Sequence, residues 1–198
     1  MKKELLENGF VSFNITSEYE LELLSKIYSN LPNNQFNKLV VSYDSVLHNY
    51  PVNNSTFKNL SKTKDELIQT DNLAQIWFSA YDTSSETNLL LKSILYKFYE
   101  YTDVNFLNVI TLYNNGCFII PHIDGEDPTR IMGVLIYLNK DYNEANGGNL
   151  ILKNETKILP EYGKVVIIDY TQNSVEHEVT KVLEGERYAI CAFIHKKQ

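Results

Sequence analysis

The chain has 198 residues, of which 43% are hydrophobic and 12% aromatic, and its formal net charge is −7. This length and composition fit one globular domain over residues 1–198 and exclude the disordered and fibrous classes. The negative charge argues against a nucleic-acid partner, and no apolar run is long enough to span a membrane. Two cysteines without a disulfide pattern, and an N-terminus without a signal-peptide core, predict a cytoplasmic protein.

The first part of the chain, residues 1–103, is expected to be helical and partly irregular. A Thr/Ser cap signal followed by leucines at helical spacing predicts a helix that ends before Pro32. The segment "SSETNLLLKSILYKFYEYT" predicts a second amphipathic helix. Between the two helices, the Asn- and Ser-rich stretch 33–61 has no regular pattern apart from one short strand around 38–43.

The second part, residues 104–195, has a different pattern. Short apolar or alternating runs follow one another, in the order "VNFLNVITLY", "CFIIPH", "RIMGVLIYLN", "NLILKN", "KVVIIDY", "SVEHEV" and "RYAICAFIH". Turn signals such as "NNG" and "NGG" separate them, and no helical stretch lies between them. This spacing predicts an antiparallel sandwich or barrel, in a chain that is mainly β with flanking α-helices.

The segment "CFIIPHIDG" ends a predicted strand with two polar side chains. His122 and Asp124 are two residues apart, so in an extended chain an imidazole and a carboxylate project from the same face. Such a pair has two interpretations. It is either part of a metal-binding site or a polar strand end that continues into a loop.

A second histidine lies on a predicted buried face. In "SVEHEVT", His177 alternates with glutamates and shares its face with two valines. A buried imidazole without a partner is costly. Either an ordinary hydrogen bond to a core neighbour or a role as a metal ligand would satisfy it.

The last predicted strand, "RYAICAFIH", carries one of only two arginines in the chain. Arg187 shares its face with Ala189, Cys191 and Phe193. If this face lines a cavity, the guanidinium places a permanent positive charge at the cavity wall, where it needs an anion. The alternative is that Arg187, as the first residue of the strand, extends into solvent.

The order of these signals is more specific than any one of them. The chain has Tyr113, then the HxD motif, "YLN" at 137–139, "GG" at 147–148, "LPEYGKVVII", His177 and "GERYAICAF". In this order the sequence resembles the Fe(II)- and 2-oxoglutarate-dependent dioxygenases, most closely the prolyl 4-hydroxylase-like branch. The resemblance covers about residues 105–195.

The resemblance implies a double-stranded β-helix core, the cupin-like jelly-roll, with helices packed on the outside of the sheet. It also implies that His122, Asp124 and His177 form a 2-His-1-carboxylate triad for Fe(II). Such a triad occupies one face of the ion and leaves three positions open for the co-substrate and dioxygen. A closed site with four protein ligands could not do this.

The resemblance also implies the residues that bind the co-substrate. Arg187 would bind the distal carboxylate of 2-oxoglutarate, with the hydroxyl of Tyr113 as a second donor and Tyr137 nearby. Collagen-type prolyl hydroxylases usually have Lys at the position of Arg187, so this residue resembles the oxygen-sensing and bacterial type. The glycines at 147–148 would allow a tight approach before the next strand.

By the same resemblance, 2-oxoglutarate and O2 would give succinate and CO2 while an unactivated C–H bond is hydroxylated. Asp124 favours hydroxylation, because related halogenases have a small residue in its place. The expected substrate is a prolyl or other amino-acid side chain in a peptide or protein. The alternatives are a free amino acid or small metabolite, and a non-catalytic cupin-like domain that senses a metal or ligand.

Other residues have weaker signals. Cys191 stands where many family members have a larger aromatic residue, which would enlarge the pocket. Arg130 either binds a substrate carboxylate at the mouth of the site or lies on the surface. His195 is interpreted as a terminal polar residue. Residues in the N-terminal part that could belong to a lid over the site are His48, Tyr50 and Trp77, with a core or strand position as the alternative for Trp77.

Overall fold

A computed structural model describes residues 1–42, 73–82, 84–98, 104–124, 127–171 and 175–197. Within these ranges the helices are α1 (Lys2–Asn8), α2 (Glu18–Asn30) and α3 (Ser85–Tyr96). The strands are β1 (Phe10–Asn14), β2 (Asn37–Ser42), β3 (Leu73–Tyr81), β4 (Val104–Tyr113), β5 (Phe118–His122), β6 (Arg130–Tyr137), β7 (Leu150–Leu152), β8 (Thr156–Ile158), β9 (Lys164–Asp169), β10 (His177–Val179) and β11 (Arg187–Lys196). The predicted fold class, mainly β with flanking helices, is confirmed.

The two predicted helices, α2 and α3, begin at the expected signals. The hydroxyl of Ser84 accepts a hydrogen bond from the backbone N–H of Thr87, which caps α3. Glu20 of α2 is fully buried, and Lys97 and Ser93 donate hydrogen bonds to its carboxylate at 2.6 and 2.8 Å. Since both partners lie in or next to α3, this buried carboxylate holds the two helices together.

The strands pair antiparallel throughout, in the order β1-β9-β6-β11-β4-β3-β5-β10-β7-β8, with β2 beside β3. Seven of them match the seven predicted runs. The structure adds β1, β3 and the short β8, together with helix α1, none of which the sequence pattern predicted. Because β1 pairs with β9 and β3 pairs with β4, strands from the first part of the chain complete the sheet of the second part.

Two apolar clusters lie on opposite faces of the central strands. In β11, Ile190, Ala192 and Ile194 face the cluster that contains the buried leucines of α2 and α3. Ala189, on the other face, belongs to a second cluster formed with side chains of β6, β7, β9 and β10. The sheet therefore folds over itself around an inner core and carries its helices outside. This is the predicted jelly-roll.

The strand register places the predicted site residues opposite one another. His177 of β10 pairs with His122 of β5, and Arg187 of β11 pairs with Tyr113 of β4. Tyr137 of β6 pairs with Ala189 of β11, and Ala189 is two residues beyond Arg187 in that strand. No helix in the described part of the chain is long and apolar enough to cross a membrane.

The two glycines before β7 allow the close approach that the sequence predicted. Gly147 has a φ of 74°, and a Cβ at this position would lie 2.1 Å from the backbone oxygen of Lys181. A Cβ at Gly148 would lie 2.9 Å from Cδ of Arg187. Only glycine fits at either position without moving these neighbours.

Gly147→Ala should therefore be strongly destabilising. We expect a loss of about 2 kcal/mol or more in the free energy of unfolding, because a strained backbone and a backbone overlap act together. For a chain of this length, that loss lowers Tm by roughly 4–8 °C. Gly116→Ala is the matched control, since its φ of 88° is also positive but nothing lies within 4 Å of the added Cβ. Equal losses in both variants would contradict a role for the Lys181 contact.

Candidate active site

Three side chains with metal-binding atoms converge where β5 ends and β10 begins. Nε2 of His122 lies 3.8 Å from Oδ1 of Asp124, and Nε2 of His177 lies 3.7 Å from Oδ2. The two imidazole centroids are 4.3 Å apart. All three potential ligand atoms lie within 4.8 Å of one another, and no other such group occurs among the described residues. The cluster is compact enough to hold one cation.

Both imidazoles are oriented by the chain in the same way. Nδ1 of His122 lies 2.9 Å from the backbone oxygen of Ile120, and Nδ1 of His177 lies 3.0 Å from that of Val175. Because a carbonyl only accepts, Nδ1 carries the proton and Nε2 presents its lone pair to the cluster. His177 therefore satisfies both interpretations of its sequence signal, since one nitrogen bonds to the core and the other remains free for a ligand.

The pKa values of His122 and Asp124 are shifted in directions that suit a divalent metal. Burial lowers the pKa of His122, and His177 beside it adds to this effect. For Asp124, burial opposes ionisation, but the two imidazoles, the Tyr170 hydroxyl and the Arg130 charge outweigh it and hold its pKa below the usual range. Neutral imidazoles and an ionised carboxylate are the forms that bind metals.

Tyr170 is a site residue that the sequence analysis missed. Its hydroxyl donates a short hydrogen bond to Oδ2 of Asp124. Burial raises the pKa of this hydroxyl, and the Asp124 charge raises it further, so the phenol keeps its proton and remains a donor. No motif marks this tyrosine, which directly follows β9 in the segment "KVVIIDY".

Arg187 lies in the inner core with only 1% of its surface exposed, which excludes the alternative that it extends into solvent. Its Nε donates to the backbone oxygen of Gly148 at 2.7 Å, and its Nη2 donates to the hydroxyl of Tyr137 at 3.2 Å. The guanidinium carbon lies 4.8 Å from the ring centroid of Tyr113 and 4.9 Å from that of Tyr137. None of the described carboxylates pairs with it, which leaves a buried cation that suits an anionic ligand.

Cys191, on the same face of β11 as Arg187, interacts electrostatically with both the metal-binding cluster and the buried arginine. Burial raises the pKa of the Cys191 thiol to about 12, with Asp124 raising it further and Arg130 and Arg187 opposing. The thiol is thus within electrostatic reach of the metal-binding cluster and of the buried arginine. The enlarged pocket that the sequence predicts at Cys191 stays a prediction.

Arg130 lies at the edge of the cluster and is half-buried. Its guanidinium carbon is 4.1 Å from the ring centroid of Phe193 and 5.8 Å from that of Tyr170. Its Nε is buried without a hydrogen-bond partner among the described residues. This arginine is therefore held in place by aromatic rings.

The remaining predicted residues lie elsewhere. Nδ1 of His195 lies 3.0 Å from the hydroxyl of Thr129 and 3.5 Å from Asp127, apart from the metal-binding cluster. Trp77 lies in strand β3. His48 and Tyr50 are outside the described residues.

Residues 109–195 match the family model described as the 2OG-Fe(II) oxygenase superfamily. A prolyl-4-hydroxylase from Pseudomonas putida has a TM-score of 0.66 at 14% identity, covering 100% of this chain and 97% of its own. A prolyl hydroxylase from Trichoplax adhaerens, in complex with a hypoxia inducible factor peptide fragment, has a TM-score of 0.68 at 20% identity, covering 98% and 87%. A viral collagen prolyl hydroxylase from Paramecium Bursaria Chlorella virus-1 has a TM-score of 0.54 at 18% identity, covering 82% and 96%.

No curated protein matches the chain. At these identities the solved structures establish the fold, which is the jelly-roll of the prolyl 4-hydroxylases. The family match covers the HxD segment, both imidazoles and the buried arginine of β11. Residues 109–195 are therefore similar to the 2OG-Fe(II) oxygenases, and this match together with the fold supports a 2-oxoglutarate-dependent dioxygenase that uses Fe(II) and O2.

Proposed function

We propose that His122, Asp124 and His177 hold the Fe(II) of this dioxygenase. The observation that carries the proposal is the convergence of two Nε2 lone pairs and one carboxylate, each already oriented by a hydrogen bond. Two imidazoles and one carboxylate suit Fe(II), and three protein ligands leave room for further ligands on the ion. The donor set is complete, which argues against a domain that has lost its activity.

We further propose that Arg187 binds the distal carboxylate of 2-oxoglutarate, with the hydroxyls of Tyr113 and Tyr137 beside it. A guanidinium fixed through its Nε still presents donors to a carboxylate in a rigid, two-pronged arrangement. Burial raises the pKa of both tyrosine hydroxyls, so each keeps a proton to donate. In this dry core the charge of Arg187 acts with little screening by solvent.

The reaction proposed is hydroxylation of an unactivated C–H bond. When bound, iron supplies the redox chemistry by which R–H, O2 and 2-oxoglutarate become R–OH, succinate and CO2. The chain contributes placement. Arg187 and the triad hold the co-substrate at two separated points, and the valines around His177 keep water from the inner face.

The substrate we propose is a prolyl or other amino-acid side chain in a peptide or protein. Structural neighbours are prolyl hydroxylases, one of them in complex with a peptide, which supports this choice by analogy of fold. We assign Arg130, half-buried at the edge of the cluster, to a carboxylate of the substrate. A free amino acid or a small metabolite is the alternative.

We also propose that residues 1–198 form one domain, with a helical and irregular N-terminal part at 1–103 and the jelly-roll core at 104–195. The pairing of β1 with β9 and of β3 with β4 supports this arrangement. The cytoplasm remains our proposed location. The two cysteines without a disulfide pattern in the sequence support this proposal.

Succinate release tests the reaction and the substrate together. With Fe(II), 2-oxoglutarate and O2, we expect slow succinate formation that proline-containing peptides accelerate more than free L-proline does. The matched control is the same peptide with alanine in place of proline, which should not accelerate the release. Acceleration by free proline alone would indicate an amino-acid hydroxylase. No succinate under any of these conditions, from protein that binds Fe(II), would contradict the proposed reaction.

A further inference from the structure

Asp124 differs from the two histidines in how it is held. Each imidazole is fixed by a backbone carbonyl two residues earlier in its own segment. Asp124 lies beyond the end of β5, outside the strand ladder, and 18% of its side chain is exposed. The described residues give its carboxylate one hydrogen bond, from the hydroxyl of Tyr170 to Oδ2. The position of the carboxylate therefore depends on a residue 46 positions later in the chain.

Tyr170 is itself held firmly by its surroundings. Its backbone N–H donates to the oxygen of Ile131 at 3.1 Å. On either side of it, the Asp169 carboxylate accepts hydrogen bonds from the backbone N–H and the hydroxyl of Thr171, at 2.8 and 2.6 Å. These bonds fix the turn after β9, from which the phenol reaches Asp124. Such a turn makes the tyrosine a rigid support rather than a surface side chain.

Gly133 provides the space that the phenol occupies. It lies in β6, paired with Ile168 on one side and with Phe193 on the other. Its φ is not in the left-handed region, so the backbone does not require glycine there. A Cβ at this position would lie 2.5 Å from the Tyr170 hydroxyl oxygen and 3.1 Å from two ring carbons. A glycine inside a central strand commonly marks a close approach of this kind.

We propose that Tyr170 is the positioning residue for the metal-binding carboxylate, and that Gly133 is glycine to admit its phenol. The inference rests on the proposed role of Asp124 as a metal ligand. With Oδ2 bonded to the hydroxyl, Oδ1 has no hydrogen-bond partner among the described residues and is the oxygen left for the metal. Binding through one oxygen preserves the three open positions that the co-substrate and dioxygen need.

The test is the affinity of Tyr170→Phe for Mn(II). Isothermal titration calorimetry gives the dissociation constant, and electron paramagnetic resonance measures the concentration of free Mn(II) independently. We expect the dissociation constant to rise by about 10- to 100-fold, the usual effect of losing a partner of a metal ligand. The visible absorption of the Co(II)-loaded variant should also change. Tyr188→Phe is the matched control, because that hydroxyl donates to Glu186 at the surface and its loss should leave Mn(II) binding unchanged.

Gly133→Ala tests the second half of the proposal. The added methyl group should displace the phenol and weaken Mn(II) binding about as much as Tyr170→Phe does. In the Tyr170→Phe background the Asp124 carboxylate has already lost its support, so Gly133→Ala should add little further loss of Mn(II) affinity. Losses that multiply in the double variant would overturn the role of Gly133. If Gly133→Ala fails to fold, Tyr170→Phe alone decides the proposal.

The outcomes separate this inference from the proposed function. If Tyr170→Phe binds Mn(II) as tightly as the unaltered protein while Asp124→Ala does not bind it, the positioning role is wrong and the triad remains. If Asp124→Ala also binds Mn(II) with unchanged affinity, the triad itself is wrong. Weakened binding in Tyr170→Phe together with abolished binding in Asp124→Ala supports both.

Discussion

Replacing Asp124 with alanine is expected to abolish succinate formation from 2-oxoglutarate. The variant keeps both imidazoles but loses the one negative charge of the cluster. We expect metal affinity to fall by more than about 100-fold, because loss of a partner that only supports a ligand already costs about 10- to 100-fold. Succinate release with Fe(II), and thermal unfolding with and without Mn(II), are the two measurements.

Thermal unfolding makes this prediction independent of turnover. At a metal concentration of 100 times Kd, binding should stabilise the unaltered protein by about 2.7 kcal/mol, while Asp124→Ala should show no such shift. Exposed Asp141 provides the control, since Asp141→Ala removes the same charge from a surface loop and should behave like the unaltered protein. Full activity in Asp124→Ala would contradict the triad.

Replacing Arg187 with lysine should raise KM for 2-oxoglutarate strongly while lowering kcat less. Lysine keeps the positive charge but lacks the planar guanidinium group. That group bonds to Gly148 and Tyr137 and still has N–H donors left for an anion. Hydrogen bonds to charged groups contribute about 1.5–3 kcal/mol, so the loss of one corresponds to roughly 10- to 150-fold in KM. Initial rates over a range of 2-oxoglutarate concentrations measure the effect.

Lys157→Ala is the control for Arg187→Lys, because it removes an exposed cation that pairs with Glu144 far from the inner core. It should leave KM for 2-oxoglutarate unchanged. Binding of 2-oxoglutarate to the Mn(II)-loaded protein should weaken in parallel with the rise in KM. An unchanged KM in Arg187→Lys would mean that this buried guanidinium does not contact the co-substrate.

Much of the metal-binding cluster could be predicted from local sequence, because a strand alternates its side chains between two faces. This rule places His122 beside Asp124, His177 on the buried side of β10 and Arg187 on the same face of β11 as Ala189. The rule does not say which strands pair. That β5 lies against β10, so that His122 meets His177, followed only from the order of motifs shared with a family.

The elements that were missed lack a strong local signal. Helix α1 and strand β8 are short, and β3 owes its place to pairing with β4 and β5 rather than to alternation in its own sequence. Tyr170 was missed because its contact with Asp124 spans 46 residues and involves no motif. The exposure of Arg187 was left open because the first residue of a strand can turn either way. Its burial follows from the Gly148 and Tyr137 contacts, which depend on the folded chain.

A crystal structure of the complex with Fe(II) and 2-oxoglutarate, grown without oxygen, tests the central claim most directly. We predict density for the metal between Nε2 of His122, Nε2 of His177 and one oxygen of Asp124. We also predict the distal carboxylate of 2-oxoglutarate against the guanidinium of Arg187. Metal bound elsewhere, or a co-substrate whose distal carboxylate does not contact Arg187, would contradict this account of the site.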